Sequence, residues 1–160
     1  MRRHSQVNTA GGFTLLEIMI VVAIIGILCS LAIPAFAKAR LNSKVSAQMN
    51  DLRILDAAFQ LYAMEHNGHF PAVNWTPGVL PAGMSPYVNG NIWSLPSPLG
   101  GLYAWVQHTD VNGITTCYIA LTGNVDGQAW NLMDQEMDDG KSDSGQLQSM
   151  SPVYVYFLDQ

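Results

Sequence analysis

The stretch GGFTLLEIMIVVAIIGILCSLAIPAF, Gly11 to Phe36, decides how the rest of the chain is read. From Ile18 to Ala37 run twenty residues without a charge, about 30 Å as an α-helix and so long enough to cross the hydrocarbon of a bilayer. One carboxylate, Glu17, stands at its border. A charged side chain at the bilayer centre costs on the order of 3 kcal/mol, so a carboxylate near one end must reach the interface or find a partner, and it reads as functional by default. Arg2 and Arg3 precede the run without an acid, while Lys38 and Arg40 follow it, and we read the N-terminus as cytoplasmic. A secretory signal would end its apolar core in a small-residue cleavage site. Here the small pair Gly11-Gly12 stands before the run, so a cut there leaves the anchor on the mature chain.

Composition places two environments in 160 residues. The length suits one domain with one appendage. Hydrophobic residues make up 49% and charged residues 12%, with the apolar excess before residue 38. The net charge is -5, and after Arg53 the only basic residue other than histidine is Lys141. An acidic C-terminal part repels phosphate backbones, which argues against direct nucleic-acid binding. Cys29 lies in the apolar run and Cys117 far downstream, so no intramolecular disulfide is expected, and both read as buried small hydrophobes.

The basic leader ending in Gly12, followed by Phe13, Thr14, Leu15, Leu16 and Glu17, with Pro34 further along, resembles the type III signal of type IV pilins and type II secretion pseudopilins. The resemblance covers roughly the first third of the chain. It implies cleavage between Gly12 and Phe13 by a prepilin peptidase, N-methylation of Phe13, and an assembly role for Glu17. It also implies storage in membrane lipid, an inner-membrane assembly platform, and a filament of identical subunits with minor pseudopilins or pilins. The new amine at Phe13 is four residues from Glu17, and a helix N-terminus favours a carboxylate in its first turn. The partner of Glu17 is therefore its own amine or that of a neighbouring subunit.

Beyond Pro34, expected to kink or loosen the helix, the pattern continues. Val45, Met49, Leu52, Leu55, Phe59, Tyr62 and Ala63 form one apolar stripe, with Lys44, Gln48, Asp51, Arg53 and Gln60 opposite it. Asn67-Gly68 offers a C-cap and Pro71 a stop, so one helix is expected from about Phe13 to about His66, or two helices broken at Pro34. The segment DLRILDAAFQLYAMEHNGHFP, 51–71, is similar to the helix end of the major secretion pseudopilin. His66 and His69 frame the turn, a pair far short of a metal ligand set.

Residues 72–101, rich in Pro and Gly, read as a surface loop pinned by Trp75, Tyr87 and Trp93. Strands are expected at 102–107, 114–122 and 153–158, the first two joined by a turn around 110–113, with Cys117, Ile119 and Leu121 on the inner face. Asp126 reads as the N-cap of a short helix to about Met137, followed by a polar loop. That loop is no EF-hand, but Asp138, Asp139, Ser142 and Asp143 place oxygen ligands on a tight turn. The resemblance to major pseudopilins, which carry a C-terminal calcium loop, implies calcium at Asp138, Asp139 and Asp143 as the possible cofactor, against a plain solvated acidic turn.

The expected architecture is α+β, with a long N-terminal helix, membrane-spanning in its first half, packed on a small antiparallel sheet. Three segments follow: a leader at 1–12, a transmembrane half at 13–37 and a periplasmic or extracellular head at 38–160. The function expected is that of a structural subunit of a type IV-like filament, a secretion pseudopilin first and a type IV pilus subunit as the alternative. A membrane-tethered enzyme or binding domain is the remaining class. No nucleophile with a base, no paired carboxylates on a rigid scaffold and no full metal set stands out, so catalysis is not expected.

Overall fold

The computed structural model describes residues 12–109, 111–150 and 152–158. The basic leader and Gly11, together with Asp110 in the expected turn, lie outside the described residues. The chain divides into two units, residues 1–39 and 40–160.

In the first unit, helix α1 (Leu15–Glu65, continuing into the second unit) is exposed almost all round. No side chain of this part selects one face, because apolar residues occupy every face. It is the one described helix long and apolar enough to cross a membrane. The helix passes through Pro34, so the two-helix alternative does not apply.

In the second unit α1 has a clear inner face, with Val45, Gln48, Leu52, Leu55, Ala58, Phe59 and Ala63 buried. Gln48 corrects the expected polar face: it falls three residues after Val45 and four before Leu52, in the middle of the stripe, and its Nε2 donates to the Tyr103 hydroxyl at 2.7 Å. The helix ends where Asn67 takes the left-handed conformation (φ 57) and the Gly68 N–H donates to the Ala63 carbonyl at 2.8 Å. That is the six-to-one bond of a Schellman cap.

The partner of this face is a four-stranded antiparallel sheet in the order β1-β2-β4-β3. It comprises β1 (Leu102–Thr109), β2 (Thr115–Thr122), β3 (Leu147–Met150) and β4 (Val153–Phe157). Alternation sends Tyr103, Trp105, Cys117, Ile119, Leu121 and Tyr156 into the main core, and Ala104, Val106, Ala120 and Val155 into a smaller cluster. Phe59 stacks on Trp105 at a centroid distance of 4.1 Å, and the Trp105 indole N–H reaches the Pro71 carbonyl at 2.9 Å.

The fold is α+β as expected, with three differences in detail. A fourth strand, β3, occupies part of the expected polar loop. It has only four residues, of which Leu147 alone is fully buried, too little alternation to read from sequence. The 72–101 segment contains helix α2 (Gly90–Ser94), which buries Trp93, while Trp75 is exposed. Cys117 is buried as expected, but Cys29 is exposed on α1. Helix α3 (Gly127–Met137) matches expectation, with the Asp126 carboxylate accepting from the Gln128 and Ala129 amides at 3.1 and 3.2 Å.

Candidate assembly segment and acidic cluster

The segment that begins α1 is organised by two side chains. Thr14 is the residue before the helix and its carbonyl accepts from the Ile18 amide at 3.3 Å. Its own amide and hydroxyl both donate to Glu17 Oε2, at 2.8 and 2.9 Å. In return the Glu17 amide donates to Thr14 Oγ1 at 3.2 Å. This reciprocal arrangement is a capping box, in which a Thr and a Glu three residues later satisfy amides that the first helical turn leaves open. Glu17 is therefore held at the border of the apolar run by its own chain. Among the described residues all bonds to its carboxylate converge on Oε2, and Oε1 takes none. Gly12 is exposed with open space where a Cβ would stand, and Phe13 is exposed as well. Among the described residues nothing packs against the Cβ position of Gly12.

A second grouping lies in the head. Oxygens of Asp134, Asp138 and Asp139 come within 4.8 Å of one another. Asp134 is on the apolar face of α3 beside Ala129, Trp130 and Met133, which explains why it is buried. Its Oδ1 is buried without a hydrogen-bond partner. Burial, then the charges of Asp138 and Asp139, push its carboxyl above the usual range. Asp138 Oδ2 accepts from the Leu147 amide at 2.8 Å. Asp139 accepts from the Ser144 hydroxyl at 2.6 Å and the Lys141 amide at 2.9 Å, and these bonds hold its carboxyl below the usual range.

Of the expected ligands, Asp138 and Asp139 are thus brought together. Asp143 is exposed and outside the group, and the Ser142 carbonyl is turned to the Ser149 amide at 2.8 Å. The residue that sequence reasoning missed is Asp134. The spacing D-x-x-x-D-D at a helix end, one helical turn plus one residue, carried the signal. For a hard cation the donor set offers three carboxylates, one of them buried and unpaired, and this fits such an ion in chemistry.

The histidine pair is put to other uses. His66 stacks on Tyr62 with centroids 3.9 Å apart, and its Nδ1 lies 2.8 Å from the Tyr62 carbonyl. His69 lines an open cleft of ≈480 Å³ with Gln60, Phe70, Gln107 and Cys117. Cys117 is the thiol on that wall, but burial pushes it up to about 11, the wrong direction for a thiolate.

Residues 8–33 match the family model described as the prokaryotic N-terminal methylation motif. Type II secretion system core protein G of Klebsiella michiganensis is 34% identical over 123 residues, covering 70% of this chain and 83% of that protein. The Escherichia coli K12 protein of the same name is 31% identical over 125 residues, 73% of this chain and 83% of its own length. Fimbrial protein EcpC of Eikenella corrodens is 34% identical over 113 residues, 70% of this chain and 73% of that protein. The chain belongs to the family of type IV pilins and type II secretion pseudopilins. No solved structure matches it.

Within that family the long helix on a small antiparallel sheet is the expected architecture, and the family's proteins are structural. The capping box is legible as T-x-x-E before an apolar run, and it adds Thr14 to the partners expected for Glu17.

Proposed function

We propose that the chain is a filament subunit of the type II secretion kind, a pseudopilin stored in the inner membrane and assembled after processing. The likeness to core protein G over four-fifths of that protein's length carries this reading. A prepilin peptidase cuts between Gly12 and Phe13, Phe13 is N-methylated, and the apolar half of α1 holds the subunit in lipid with the head in the periplasm. An inner-membrane platform then draws it into a filament with minor pseudopilins. Glu17 sets register: the capping box fixes Oε2 within the chain, and Oε1 is left to meet the Phe13 amine of a neighbouring subunit. Mass spectrometry of the mature protein tests the processing. A chain beginning with methylated Phe13 is the expected result, and an intact Met1 would overturn it.

The likeness to fimbrial protein EcpC favours a second reading, a type IV pilus subunit. Deleting the protein separates the two: loss of enzyme secretion with surface pili intact supports the secretion filament, and the reverse supports the pilus.

The acidic cluster holds calcium, with Asp134, Asp138 and Asp139 as the carboxylates and Asp143 outside the set. Bound there, the ion would neutralise three crowded charges and satisfy the unpaired Asp134 oxygen. The expected observation is a rise in melting temperature on adding calcium and a fall on chelation. An unchanged melt in both removes the ion from the account.

A further inference from the structure

Most cations of the chain border its apolar run. No acid occurs between Glu17 and Asp51, and Lys38, Arg40 and Lys44 all follow within seven residues of Ala37. Residues 45–160 then hold eleven acids against Arg53 and Lys141. Arg40 is exposed and Lys44 half-buried, four residues apart on α1 and so on one side of it. Among the described residues neither side chain forms an ion pair or a hydrogen bond within the chain.

Their placement runs against the topology proposed above. Cations at the end of a span favour the inner side of the membrane, yet with the head outward these lie outside. The proposed cut after Gly12 also removes Arg2 and Arg3, so that every lysine and arginine left beside the span is on the head side. Geometry gives them a use there. The Cα–Cβ bonds of an α-helix tilt toward its N-terminus, so residues placed after a span lean back toward the bilayer. At 1.5 Å per residue, Arg40 and Lys44 start about 5 and about 10 Å beyond Ala37. The headgroup layer is about 5–7 Å thick, and a lysine stem that leans back returns its ammonium to it. An acidic head beside an anionic leaflet is otherwise repelled.

We propose that Arg40 and Lys44 bind the phosphate of an anionic phospholipid in the leaflet facing the head, and so set the depth of α1 while the subunit is stored. The site rests on the membrane-stored reading above, but not on the kind of filament. Lipid is the occupant because the pair lies at headgroup depth. The first acid that a stored neighbour offers along its own α1 is Asp51, about 20 Å beyond Ala37.

The test uses the full chain in nanodiscs of phosphatidylcholine alone or in an equal mixture with phosphatidylglycerol. Native mass spectrometry counts the lipids and protein copies that stay bound. The wild type is expected to retain phosphatidylglycerol in preference to phosphatidylcholine. Arg40→Gln and Lys44→Gln are each expected to lower that preference about fivefold, the contribution of one cation near an anionic leaflet, and the double variant to remove most of it. Arg40→Lys keeps the charge and is expected to keep the preference. Arg53→Gln, on the same helix but nine residues further on, is expected to leave it unchanged. Every variant retains Arg2 and Arg3, so the differences report the head side alone, and near-UV circular dichroism identifies variants whose head remains folded. Several results would each overturn the proposal: a wild type without preference, a preference that survives the double variant, or one that falls equally with Arg53→Gln. Displacement of the lipid by inorganic phosphate but not by chloride at equal ionic strength, or a second copy retained in place of lipid, would do the same. None of these outcomes bears on the cut after Gly12, which the mass of the mature chain reads separately.

Discussion

The two parts of α1, before and after residue 39, are built on opposite rules. In the first, apolar side chains face every direction and almost nothing is buried; in the second, one face from Val45 to Ala63 is buried and the other carries Arg53 and other exposed residues. A helix that selects no face suits an environment that surrounds it, as lipid or a bundle of identical helices does. A helix that selects one face suits a single fixed partner. The carboxylates follow the same division: Glu17 is satisfied locally by Thr14, whereas Asp134 is buried by the fold with one oxygen unpaired.

Substitutions can break this contrast at its ends. Glu17→Ala is expected to have the largest effect, removing most of the filament recovered from cells while membrane insertion continues. Normal filament yield would dissociate the carboxylate from assembly. Next, Phe59→Ala should cost the head about 3–5 kcal/mol by leaving a cavity against Trp105, whereas Ile25→Ala in the surrounded part should change denaturant stability by less than about 0.5 kcal/mol. Equal losses at the two sites would erase the distinction.

A smaller effect is expected at Gln48→Leu, about 1 kcal/mol, because the Tyr103 hydroxyl loses its partner at 2.7 Å. Thermal unfolding of the two variants Gln48→Leu and Tyr103→Phe, alone and combined, measures the coupling. The smallest effect concerns pH. Asp134 has a folded-state pKa above its unfolded value, so the fold favours its neutral form and loses stability as pH rises from the unfolded value through the folded one. Asp139 has the opposite sign, contributing stability above its unfolded value that is lost as pH falls through its lowered folded one. In chelator, Asp134→Asn should therefore raise stability at neutral pH by on the order of 1 kcal/mol and leave acidic pH unaffected. A stability gain that persists in acid would sink this assignment.

What could be read in advance follows the strength of each periodic signal. α1, its cap at Asn67-Gly68, and α3 with its Asp126 cap were legible because period and capping residues agree. β1, β2 and β4 were legible from alternation, to within a few residues at their ends. β3 was not: a four-residue edge strand lies within a polar stretch, and its pairing with β4 is a tertiary fact. Gln48 is polar by type, but its helical angle puts it among Val45, Leu52 and Leu55. At the candidate sites, the Gly12-Phe13-Glu17 pattern stood out at once. The capping role of Thr14 is not visible in the charge pattern, and Asp134 joins Asp138 and Asp139 only through the fold, because an acid on the buried face of α3 does not match a calcium-loop spacing.

The Thr14–Glu17 box also bears on timing. Both residues lie on the mature side of the bond after Gly12, so the start of α1 is written wholly in the part of the chain that is kept. If the chain is cut after Gly12 as proposed, the helix that remains has its first turn already closed by Thr14 and Glu17. Such a cut would change the charge at one point and leave the hydrogen bonds of that turn in place.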